Sequence, residues 1–151
     1  MKTRFLFSTL LAASLLFVAC DNDDDAPAKP EVTIHELGDG DNHGDDHTAY
    51  VGGSLHMDIE ILAEGKIDYV QIIIHPEGDL HKSLFEHEEW ELDTIFKGDG
   101  ITGLKNLDFH KDLEISEEAE AGHYHFDVKV VDMEGNSASD EAELELLVMP
   151  L

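Results

Sequence analysis

Ten histidines stand in a chain of 151 residues: His35, His43, His47, His56, His75, His81, His87, His110, His123 and His125. A neutral imidazole offers a ring nitrogen to zinc, copper, nickel or iron(II). Taken singly, each histidine has an ordinary explanation as a solvated polar residue. Their spacing asks for more. His56, His110, His123 and His125 all fall on the parity opposite the apolar residues around them, and His75 falls opposite Val70, Ile72 and Ile74. In extended strands that parity is one face, and strands side by side bring such residues together across a sheet. The spacing predicts a divalent transition-metal site, most simply zinc, built from some of His56, His75, His110, His123 and His125. Asp58, Asp112 and Asp127 are placed to complete the shell or to orient a ring nitrogen. The other readings are a pH-sensitive surface and no role at all.

A second candidate is the stretch Asp39-x-Asp41-x-His43-Gly44-Asp45-Asp46-His47. It has the carboxylate spacing that opens a helix–loop–helix calcium loop. The twelfth position, Tyr50, lacks the required glutamate and no helical pattern flanks it, so that assignment fails. A solvated acidic loop is the favoured reading, with loose cation attraction as the alternative.

The elements that must position these residues are strands. Residues 54–62 (SLHMDIEIL) alternate apolar and polar with a period of two. So do residues 123–131 (HYHFDVKVV) and 141–148. Residues 32–34, 67–75, 88–96 and 107–115 supply four more candidates, with Lys111 breaking the last pattern at an expected bend or bulge. Asp132-Met133-Glu134-Gly135-Asn136 reads as a hairpin turn. About seven strands with no long amphipathic helix imply an all-β fold. Two apolar-faced sheets bury those faces against each other, which points to an immunoglobulin-like β-sandwich, with a small closed barrel as runner-up.

The start of the chain is processing information. Met1-Lys2-Thr3-Arg4 is basic, and residues 5–19 carry no charge. Such a run is short for a bilayer span and fits a signal peptide over residues 1–19. Leu16-Phe17-Val18-Ala19-Cys20 resembles a lipobox, which implies cleavage before Cys20 and a lipid on its sulfur. Asp21-Asn22-Asp23-Asp24-Asp25 resembles the acidic tether that sends Bacteroidetes lipoproteins to the outer face of the outer membrane. The expected organisation is a signal peptide (1–19), a lipidated acidic tether (20–30) and one domain (31–151). The expected location is the outer membrane, lipid-anchored and cell-surface, with a periplasm-facing arrangement as the alternative.

Charge narrows the partners. The full chain carries 35 acidic and 9 basic residues, net −26. Removing residues 1–19 takes away Lys2 and Arg4 and leaves −28. Such a surface repels nucleic acids and anionic headgroups. The expected partners are the membrane, through the lipid on Cys20, and an outer-membrane receptor or another surface molecule. No G-x-S-x-G turn, phosphate loop, H-E-x-x-H helix or dinucleotide fingerprint occurs, so no enzyme is expected.

Several segments together resemble a known family. They are the lipobox, Leu55-His56, Ile73-Ile74-His75-Pro76, Asp108-Phe109-His110, and Gly122-His123-Tyr124-His125-Phe126 with Val130-Val131-Asp132 and Gly135-Asn136. They look like an uncharacterised family of Bacteroidetes lipoproteins, a domain of unknown function for which the resemblance implies an immunoglobulin-like fold and no particular activity. Where members carry a second histidine two places after the one matched by His110, this chain has Asp112. The function expected from the residues is a lipid-anchored module that holds or presents a divalent metal. The alternative is a non-enzymatic protein- or glycan-interaction module with incidental histidines.

Overall fold

Period-two alternation gives each strand one apolar face, and such faces leave water only by stacking. The computed structural model describes residues 28–40, 46–78 and 90–150 and contains eight strands there. They are β1 (Glu31–Asp39), β2 (Thr48–Tyr50), β3 (Ser54–Leu62), β4 (Ile67–Pro76), β5 (Leu92–Phe96), β6 (Asn106–Glu114), β7 (Gly122–Asp132) and β8 (Ser137–Leu147). One sheet has the order β1-β3-β6, the other β2-β8-β7-β4-β5. The signal peptide, Cys20, residues 20–27 of the tether, and His43, His81 and His87 lie outside the described residues. Among the described residues no helix is long and apolar enough to cross a membrane.

The two sheets share one core. Leu55, Met57, Ile59 and Ile61 of β3 meet Val70, Ile72 and Ile74 of β4 and Tyr124, Phe126, Val128 and Val130 of β7, all buried. Each such aliphatic or aromatic side chain contributes about 1.5–3 kcal/mol on leaving water. Phe96 and Phe109 cross between the sheets edge to face, with ring centroids 5.1 Å apart. Along one side the layers also approach through their strand edges, where the Ile34 N–H donates to Asp140 Oδ2 at 3.1 Å.

Eight strands form where about seven were expected. The additional one, β2, is only three residues long and pairs in parallel with the end of β8. Three residues are too few to show a period, although Ala49 at its centre is fully buried. β1 runs to Asp39, well past the expected residues 32–34, and takes in the first residue of the stretch read as an acidic loop. β8 begins at Ser137, earlier than its alternation suggested. In the stretch read as a strand over residues 88–96, β5 starts at Leu92. No bulge occurs at Lys111: β6 pairs with β3 in unbroken register through Lys111 opposite Met57. Because β6 is an edge strand, Lys111 can occupy an inward parity and still lie exposed.

The bulge sits in β1 instead. Register shifts between Ile34 and Glu36, and His35 is the extra residue. This turns Glu36 outward and Leu37 inward. The β7–β8 hairpin is closed by Asp132. Its Oδ1 accepts from the N–H groups of Glu134 and Asn136 at 3.0 and 2.7 Å, and its Oδ2 accepts from Asn136 Nδ2 at 2.9 Å. Burial pushes this carboxyl up, but the hydrogen bonds from Asn136, Glu134 and Gly135 outweigh it and hold the group below the usual aspartate range. Gly135 takes φ +88°, the left-handed conformation the turn needs.

Candidate functional site

On the outer face of the three-stranded sheet, β3 places His56 and Asp58 between two neighbours. His56 faces Asp112 on β6 and Gly38 on β1, while Asp58 faces His110 on β6 and Glu36 on β1. Gly38 brings no side chain to this row, which leaves room for the imidazole. His56 is fully buried although it points away from the core. Its Nδ1 lies 2.7 Å from Asp112 Oδ1 and its Nε2 lies 3.4 Å from Glu36 Oε2. A carboxylate can only accept, so Nδ1 carries the proton. The His110 ring stands edge-on to His56 with centroids 4.5 Å apart, and its Nδ1 lies 3.8 Å from Asp58 Oδ2. At the bulge, His35 Nε2 reaches Glu60 Oε2 at 3.4 Å.

The other sheet carries a second pair. His75 on β4 and His125 on β7 are direct cross-strand partners, with ring centroids 5.2 Å apart and planes tilted by 45°. His75 Nε2 lies 3.6 Å from Asp127 Oδ2, and His125 Nε2 lies 4.0 Å from Glu77 Oε1. All four side chains are about one-third to one-half exposed. His123 lies two residues from His125, opposite Glu145, in a shallow recess shared with His47.

The five strand histidines therefore form two cross-strand pairs on different sheets, with His123 beside the second. They do not share one centre. Pairing decides this: β3 bonds to β6 and β4 bonds to β7, and the two pairs face outward from opposite layers. Each of the three expected carboxylates does stand beside a histidine: Asp112 with His56, Asp58 with His110, and Asp127 with His75. Among the described residues, no group of three or more histidine, cysteine, aspartate or glutamate side chains is disposed to hold a metal ion.

Sequence reasoning missed Glu36 and Glu77. Glu36 shares the parity of Val32 and Ile34 and so reads as inward. The signal that could have found it is Leu37, an apolar residue one step out of phase, which calls for an inserted residue nearby. Glu77 lies beyond the end of β4, where alternation no longer assigns a face.

These features define a class: an all-β domain of two sheets with one core and histidine–carboxylate pairs on both outer faces. The chain belongs to the family described as Domain of unknown function (DUF4625), whose model matches residues 18–147. No curated protein matches it. Among solved structures it is similar to the sporulation control protein Spo0M from Bacillus subtilis, at TM-score 0.47 and 11% identity over 81% of this chain and 51% of that one. A β-glucosidase from Listeria innocua is similar in its glucose complex at TM-score 0.42 and 14% identity, and in a second structure at 0.41 and 12%. Those two matches cover 80% of this chain and 16% of the glucosidase. The chain thus spans about half of Spo0M and a small part of the glucosidase.

Proposed function

We propose that this chain is a lipid-anchored, non-enzymatic interaction module of the outer membrane, in which the strand histidines are polar positions on the outer sheet faces. The observation that carries this reading is the division of the histidines into two pairs on opposite layers, each pair set against carboxylates. Cys20, directly after an uncharged run, is the anchor point, and the acidic tether keeps the domain clear of the lipid. The net charge of −28 left after residues 1–19 are removed turns the surface toward neutral or cationic partners and away from nucleic acid.

An immunoglobulin-like sandwich suits such a module, since it presents its strand-connecting loops at its two ends. Two observations support that assignment. The layers β1-β3-β6 and β2-β8-β7-β4-β5 follow an order in which sequence-distant strands pair across the fold. Near the start of β7, the buried Tyr124 hydroxyl donates to the Glu120 carbonyl at 2.7 Å, the geometry of a tyrosine corner.

A second reading keeps the metal. The direct pairing of His75 with His125, ring centroids 5.2 Å apart, favours a two-imidazole chelating pair for zinc on the five-stranded sheet, with solvent or a partner completing the shell. Elemental analysis and titration with zinc, nickel and copper separate the two, using protein purified without an affinity tag. The interaction module takes up no more metal than a comparably acidic control. Stoichiometric sub-micromolar zinc binding that is lost in His75→Ala and His125→Ala overturns it in favour of the second reading.

A further inference from the structure

We infer that a cleft between the β2–β3 and β6–β7 turns is a binding site for a neutral carbohydrate, with Trp90 as its stacking platform. This rests on the interaction-module reading and gives that module a ligand class. The cleft is open to solvent on one side, offers about 780 Å³ and is lined by Ser54, Trp90, Glu114, Ser116, Glu117 and Met149, among others. That volume lies within the roughly 300–1,000 Å³ of small-molecule sites.

The walls are set before any ligand arrives. The Ile115 N–H donates to the Gly53 carbonyl at 2.9 Å, Gly52 N–H to Ser116 at 3.3 Å, and Val51 N–H to Leu147 at 2.9 Å. Three chain segments are thereby tied together at one end of the layers. Trp90 is partly buried against the core and stands edge to face with Tyr124, ring centroids 6.1 Å apart. It is the only tryptophan in the chain.

The rim matches a hydroxyl-bearing ligand. Glu114 and Glu117 offer oxygens that only accept hydrogen bonds, and Ser54 and Ser116 offer hydroxyls that donate and accept. Ser116 Oγ already accepts from the Glu118 N–H at 3.1 Å, so its own proton points elsewhere. A sugar ring presents a C–H face to an aromatic platform and hydroxyls to such acceptors at its edge. Two carboxylates on the rim of an anionic protein disfavour phosphorylated or uronate-bearing ligands. A quaternary ammonium ligand is best held by a cage of several aromatic rings, and among the described residues Trp90 is the single aromatic side chain lining the cleft.

The test uses the full chain in a detergent without sugar headgroups. It is titrated by calorimetry and by Trp90 emission with maltotriose, cellotriose, mannotriose and xylotriose, with choline and hyaluronate in parallel. The expected result is a saturable signal with at least one trisaccharide. Binding should weaken roughly tenfold or more in Trp90→Ala, and also in Glu114→Gln/Glu117→Gln, with unchanged circular dichroism. No saturable signal with any trisaccharide overturns the inference. So does binding that Trp90→Ala leaves unchanged, or tighter binding of choline or hyaluronate. Failure here leaves the metal titration as it stands, whereas stoichiometric zinc would sink the module reading by itself.

Discussion

At the scale of single residues, two histidines of the same type and parity have different weights. His56 is fully buried between Asp112 and Glu36, whereas His75 is half-exposed beside Asp127. Replacing His56 by alanine removes a packed ring and leaves Asp112 without its 2.7 Å partner, a loss of about 1–3 kcal/mol; His75→Ala changes stability by less than about 0.5 kcal/mol. Urea denaturation of both variants measures the difference, and equal losses would contradict it. Alternation told which face each histidine takes but not how covered that face is. Burial on an outward face depends on the residues opposite, here Gly38 and Asp112, and so on pairing that no local pattern records. Asp132 gives a second contrast. Its carboxyl is held below the usual aspartate range, so it adds stability that is present above the unfolded value of about 3.9 and is lost as pH falls through the folded value. Asp132→Ala should lower the melting temperature at neutral pH and flatten its fall below about pH 4. A side chain on Gly65 would run into the same carboxylate. Gly65→Ala is therefore destabilising in the parent and much less so in Asp132→Ala, a non-additivity that a double-mutant cycle reads directly.

At the scale of elements, the long strands were legible and the short or irregular ones were not. β3 and β7 run nine and eleven residues and alternate cleanly over residues 55–61 and 123–130, so the faces of those stretches follow from the sequence alone. β2 has three residues and exists because β8 offers it an edge. The bulge at His35 was hidden because alternation resumes on either side of it, shifted by one. Only Leu37 betrays the shift. The start of β7 owes its placement to more than alternation. Tyr124 is wholly buried, and its hydroxyl spans four residues back to the Glu120 carbonyl, pinning the turn that enters the strand. Tyr124→Phe keeps the ring and removes that bond, leaving a carbonyl short of its donor. The expected cost is about 1 kcal/mol by chemical denaturation, with an unchanged denaturant slope. A neutral result would mean that core packing alone sets this turn.

For the whole molecule, the question is whether its charges act as local pairs or as one field. The local pairs are weak: Lys97 with Asp68 at 2.7 Å is half-exposed on the lysine side, and most of the histidine pairs involve exposed partners. Exposed pairs of this kind contribute about 0.2–1 kcal/mol each. Against them stand 35 acidic residues with only 9 basic ones to offset them, and like charges spread over a small domain repel in the folded state more than in the expanded chain. At about 0.01 M salt the screening length is roughly 30 Å, comparable with the domain; at about 0.15 M it is roughly 8 Å. Repulsion across the molecule is thus removed by salt, while a 2.7 Å contact is removed far less. The melting temperature should therefore rise over that range of sodium chloride. Magnesium at equal ionic strength should do at least as well, through loose counterion attraction to both acidic faces. A fall in melting temperature with salt would show that the paired contacts outweigh the field. A rise confined to zinc, and abolished in His75→Ala, would return the histidines to the centre of the function.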